Sequence, residues 1–166
     1  MSLSQSLLPE LDQEMAGTRK ILERVPEDKL AWKPHAKSFT MGALATHVAM
    51  LPGWGTYTLE GDSFDLAAPG ATTPPPPAAS RKDLLELFDR NLKAFRAALA
   101  TTQDAQLLVP WTLRSGEHII FTLPRLAVLR SSVMNHMIHH RAQLGVYLRL
   151  NDVPLPGLYG PTADEK

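Results

Sequence analysis

Six histidines punctuate this chain of 166 residues, and two of them, His136 and His140, are four residues apart inside an otherwise apolar helical run. On an α-helix that spacing puts both imidazoles on one face, close enough to share one ion. A third histidine, His47, groups with Leu44, Leu51 and Thr58 on the inward face of an earlier helical segment. Three neutral imidazoles from two helices can hold a divalent metal and leave coordination positions open for water or substrate. The ordinary alternative is that these are core histidines satisfied by hydrogen bonds. That alternative suits one histidine better than three, because burying three basic groups without a shared partner is costly.

The chemistry is narrowed by what is missing. The residues three before His47, His136 and His140 are Leu44, Val133 and Met137, so no Glu-x-x-His is present and a carboxylate-bridged di-iron bundle is disfavoured. The His-Glu-x-x-His of metalloproteases is absent as well. There are no cysteines, which removes thiolate ligands, disulfides and a cysteine nucleophile; any thiol chemistry needs a thiol from outside.

Four elements must position these residues. Apolar spacing of three and four predicts a first helix from Leu3 to Val25, with Pro9 near its start and Pro26 ending it. A second helix runs from Met41 to Leu59, capped by Ser38 or Thr40, and Pro52-Gly53 inside it predicts a kink or an early end. Residues 61–80 read as a linker, stiffened at Pro74 to Pro77. A third helix spans Arg81 to Thr101 and a fourth Pro124 to Leu150. Ser115-Gly116 between apolar runs suggests a small hairpin before the last helix. The fold class read here is all-α, a four-helix bundle, in which the long linker lets helices two and three run parallel.

On the last helix, 100° per residue draws an apolar face through Leu126, Leu129, Val133, Met137, Leu144 and Tyr147. That count puts His140 in the middle of the stripe, His136 on its shoulder and His139 toward the flank, as a rim candidate. Asn135 and Gln143 can orient the imidazoles, since the remaining ring nitrogens need partners, or can equally cap contacts between helices. Arg141 can bind an anionic substrate or thiol carboxylate, or pair on the helix surface. Tyr147 is a candidate acid or hydrogen-bond donor or a packing residue, and Trp54 a candidate pocket wall; Trp32 and Trp111 read as packing. His35 and His118 read as exposed loop residues.

Length fits a single domain over 1–166. Lys+Arg and Asp+Glu balance at 17 each, so no charge excess points to nucleic acid or a membrane surface, and neither is expected as a partner. With no signal-like N-terminus and no long apolar span, the expected location is cytoplasmic.

Asn135-His136-x-x-x-His140-Arg141-x-Gln143-Leu144 resembles the closing signature of the DinB-like (YfiT-like) metal-binding four-helix proteins. Val25-Pro26-Glu27-Asp28-Lys29-Leu30-x-Trp32-Lys33-Pro34, then Ala45-Thr46-His47-Val48 followed by Pro52-Gly53-Trp54, and the C-terminal Tyr159-Gly160-Pro161-Thr162-Ala163-Asp164-Glu165, agree in order. The resemblance implies a homodimeric bundle with one divalent metal on His47, His136 and His140, commonly nickel or zinc, with iron as a further option. It implies hydrolase or thiol S-transferase chemistry, with a low-molecular-weight thiol as co-substrate in the second case. The alternative it leaves open is a non-catalytic metal- or ligand-binding stress protein.

Overall fold

The computed structural model describes residues 2–71 and 76–165. Its first helix, α1 (Leu3–Leu22), starts where Ser2 caps it: the Ser2 hydroxyl accepts from the Gln5 N–H at 3.2 Å, and the Gln5 side chain accepts from the Ser2 N–H at 2.9 Å. A single 3-10 turn (Glu27–Lys29) leads through the Trp32 loop to α2 (Met41–Glu60). Of the two capping candidates it is Thr40 that accepts, from the Ala43 N–H at 3.2 Å.

Helix α2 runs on through Pro52. Proline lacks the N–H that would reach the Val48 carbonyl, and one residue on the neighbouring helix bonds the same turn. The Asn91 amide of α3 (Arg81–Thr101) donates to the Ala49 carbonyl at 3.1 Å. A Cβ on Gly55 would overlap the Phe95 ring, so the two backbones approach where only glycine fits. Ala78 bonds Thr46, Asn91 bonds Ala49 and Phe95 underlies Gly55, so contacts advance in the same sense along α2 and α3. Ser80 caps α3 by accepting from the Asp83 N–H at 3.1 Å.

The molecule is mostly helical but not all-α. After the short α4 (Asp104–Leu107), strands β2 (Pro110–Ser115) and β3 (His118–Pro124) form the expected hairpin. Gly116 and Glu117 make its two-residue turn, and Gly116 takes φ +60°, which suits a turn that begins with glycine. The hairpin is joined by β1 (Ser63–Asp65), parallel to β2 in the order β1-β2-β3. The 61–80 segment is thus not wholly a linker. Three residues are too few to show a period-two pattern, and β1 forms because β2 offers its edge and Asp65 accepts from Gly116 N–H and Ala67 N–H, each at 2.9 Å. These bonds, the Gly116 one foremost, hold the Asp65 carboxyl below the usual range. Of the proline run, Pro74 and Pro75 lie outside the described residues.

The last helical stretch is not one uniform helix. It consists of α5 (Arg125–Val128), a π-helical stretch (Leu129–Asn135) and α6 (His136–Arg149). The core lies between the four long helical stretches: Leu11, Met15 and Leu22 meet Leu44, Val48 and Leu51, Phe88 and Phe95, and Val133, Met137, Leu144 and Leu148. Full burial of each such side chain contributes roughly 1.5–3 kcal/mol. No helix is long and apolar enough to cross a membrane among the described residues.

Candidate metal centre

Helices α2 and α6 bring His47, His136 and His140 together, each half-buried, with ligand-capable nitrogens all within 4.8 Å of one another. The Nε2 atoms of His47 and His136 are 3.4 Å apart, and those of His136 and His140 2.9 Å. Two nitrogens bound about 2.0–2.1 Å from one ion at tetrahedral to right-angle separation lie roughly 2.9–3.4 Å apart. Among the described residues no other His, Asp, Glu or Cys joins the group.

The other ring nitrogens decide what these Nε2 atoms carry. His136 Nδ1 faces the Ser132 carbonyl at 3.3 Å, and a carbonyl only accepts, so the proton sits on Nδ1. His140 Nδ1 faces Gln143 Oε1 at 2.8 Å, while the Gln143 amide nitrogen reaches His139 Nε2 at 3.1 Å. That orientation of Gln143 makes His140 Nδ1 a donor too. Both Nε2 atoms then point lone pairs at each other across 2.9 Å with no proton between them. Such an arrangement is repulsive by itself and becomes attractive around a cation. The donor set fits a divalent metal ion.

The histidines are also kept neutral, the form that binds metal. Burial pushes the His47 imidazole down to about 4, with the charges of His140 and His136 acting the same way. Burial lowers His136 and His140 as well, against the Ser132 and Gln143 hydrogen bonds that favour their protonated forms. Phe39 stacks beside His47 at 6.2 Å between ring centres and closes that side.

The remaining candidates separate. Gln143 touches the cluster through His140, and His139 sits at its rim, bonded to Gln143 and 4.8 Å from the His140 ring. Asn135, His139 and Trp54 line an adjoining cavity of about 580 Å³. Tyr147 is turned away: its hydroxyl donates to the Phe39 carbonyl at 3.3 Å and its ring meets Trp32 edge-on.

Arg141 is neither an anion anchor nor a surface partner. It is 2% exposed, paired with Glu14 at 2.8 Å, and donates to the Glu14 carbonyl and to the Tyr159 hydroxyl, which itself donates to Glu14 at 2.7 Å. The core stripe of α6 is Met137, Arg141, Leu144 and Leu148, with His140 at its edge and Tyr147 only partly buried. A uniform 100° count from Leu126 misplaces that stripe because the π-helical stretch turns less per residue. His35 is exposed in its loop; His118 is exposed too, but at the start of β3. Sequence spacing gives no role to the Ser132 carbonyl or Glu14, and it shows Tyr159 only as part of the C-terminal motif. Of the three, only Ser132, four residues before His136, carries a local signal of its contact with the site.

Fold and site together define a mostly helical protein with a three-histidine group able to hold a metal ion on its second and last long helices. The chain belongs to the DinB family, whose model matches residues 1–166. It is 26% identical over 158 residues to the uncharacterized protein YrdA of Bacillus subtilis, a match spanning 92% of this chain and 85% of that one. Its fold is similar to that of a DinB-like protein from Bacillus cereus, with TM-score 0.72 and 22% identity over 93% of this chain and 97% of the other. A second DinB-like protein, YjoA of Bacillus subtilis, gives TM-score 0.69 and 19% identity over 92% and 96%.

Proposed function

We propose that this chain is a metal-dependent enzyme of the DinB type, a four-helix bundle with parallel second and third helices that works as a homodimer. His47, His136 and His140 hold one divalent ion, nickel or zinc in the first place. The observation that carries the reading is the pair of facing, unprotonated Nε2 atoms at 2.9 Å, locked in that state by Ser132 and Gln143. A divalent ion held by these three histidines would supply the Lewis acidity needed to activate water near neutral pH.

The chain's own residues do the rest. Three neutral ligands leave the ion's charge uncompensated, which strengthens that acidity. Gln143 fixes the His140 tautomer, and Phe39 covers His47. The adjoining cavity admits a small electrophile beside His136. Hydrolysis is favoured over thiol transfer, because the one arginine that follows a ligand is spent on Glu14 and offers nothing to a thiol carboxylate.

Elemental analysis of tag-free protein tests the site. About one zinc or nickel per chain, lost in His140→Ala and kept in His118→Ala, is the expected result. Equal retention by both variants overturns the ligand assignment, and full hydrolytic activity after metal removal overturns the enzyme reading. Light scattering tests the dimer.

A further inference from the structure

The cavity beside the cluster carries information about what enters it. Its walls come from four segments: Trp54 on α2, Leu66 after β1, Trp111, Leu113 and Phe121 on the hairpin, and the π-helical stretch. At about 580 Å³ it falls within the range of roughly 300–1,000 Å³ that holds small organic molecules. Among the described residues no Lys, Arg, Asp or Glu lines it.

Cations near its walls in sequence are committed elsewhere, Arg130 beside Ser131 being paired with Glu10. Arg114 is paired with Asp65 at 3.2 Å and Arg125 with Asp62 at 2.8 Å. Polar groups enter from one side, where Ser131, Ser132, Asn135, His136 and His139 follow one another along the π-helical stretch and the start of α6. Such wide turns recur at functional sites, and here the stretch turns a serine- and histidine-bearing face toward the cavity. Away from the three-histidine cluster, a charged body buried against tryptophan, leucine and phenylalanine would lose its hydration without gaining a partner.

We infer that the substrate of this site is an uncharged, largely apolar small molecule, seated between Trp54, Trp111 and Phe121 with one polar, electrophilic group directed at His136. The inference rests on the reading of the three-histidine site as the reacting centre. It narrows the substrate to neutral carbonyl or ester-like compounds with an aromatic or branched aliphatic body. Molecules that carry charge on the body seated between the aromatic walls, and sugar-like polyols, are disfavoured.

A matched pair of probes tests it: N-phenylnaphthylamine, which is neutral, and its sulfonated analogue anilinonaphthalene sulfonate. Binding is read by energy transfer from Trp54 and Trp111, in protein with and without metal. The neutral probe is expected to bind one per chain and about tenfold or more tighter than the sulfonate. Leu66→Asp places an unpaired carboxylate in the wall and should weaken the neutral probe about tenfold or more while metal content stays unchanged. Ser131→Phe, which fills the cavity from an exposed helix position, should do the same. His140→Ala should lose metal and still bind the neutral probe, so a failed metal site and a failed cavity are told apart. Sulfonate binding as tight as that of the neutral probe overturns the inference. So does neutral-probe binding that both Leu66→Asp and Ser131→Phe leave unaltered.

Discussion

Replacing Gln143 with leucine isolates the tautomer argument from the ligands themselves. Gln143 is exposed, so the change removes little packing and leaves α6 intact. It deletes the acceptor 2.8 Å from His140 Nδ1 and the donor 3.1 Å from His139 Nε2. His140 is then free to place its proton on Nε2, the atom that must bind the ion. Loss of such a supporting hydrogen bond typically weakens metal binding 10–100-fold, or about 1.4–2.7 kcal/mol. Competition of the purified variants against a chromogenic zinc chelator measures this directly. Gln143→Glu keeps an acceptor for His140 Nδ1 and adds charge, so it should bind at least as tightly as the parent. A leucine variant with the parent's affinity, or a glutamate variant as weak as the leucine one, would refute the claim that Gln143 fixes the ligand's protonation state.

Two other expectations follow from the same geometry. Arg141→Met strands Glu14 beside Tyr159 in a site where the two charged side chains are only 3% and 10% exposed. Breaking such a buried pair costs about 3–5 kcal/mol, a fall of roughly 6–20 °C in Tm for a chain of this size. Glu14→Leu combined with Arg141→Met should recover most of the loss, and a single-variant fall under about 2 °C would show that the pair is not structural. In chelator-treated protein, His47 titrates near 4 when folded and near 6.5 when unfolded, so the unfolded chain binds more protons between those values. Stability is therefore fully present above about pH 6.5 and lost as the pH falls toward 4; His136 and His140 act in the same direction. Thermal unfolding followed across that window should show a shallower decline in His47→Ala, and an equal decline would remove His47 from the account.

The sequence by itself determined the features that contiguous residues encode. The cap at Thr40 and the span of α3 follow from a polar acceptor and an apolar repeat, each written in neighbouring residues. The face shared by His136 and His140 follows from four-residue spacing, which survives because both lie within α6, beyond the π-helical stretch. The hairpin turn follows from Gly116. Tertiary structure decided the rest. Arg141 looks like a surface residue in its own neighbourhood, and only the approach of Glu14, 127 positions earlier, and Tyr159, 18 positions later, makes it a core residue. Strand β1 exists only because β2 supplies the edge that three residues cannot provide for themselves. The cavity is likewise a property of no single segment, since its walls meet only once α2, the hairpin and the π-helical stretch have packed. Helical periodicity and capping are energies between near neighbours and can be read along the chain. Which buried charge finds its partner, and which apolar faces stop short of touching, depends on surfaces that the chain brings together only by folding.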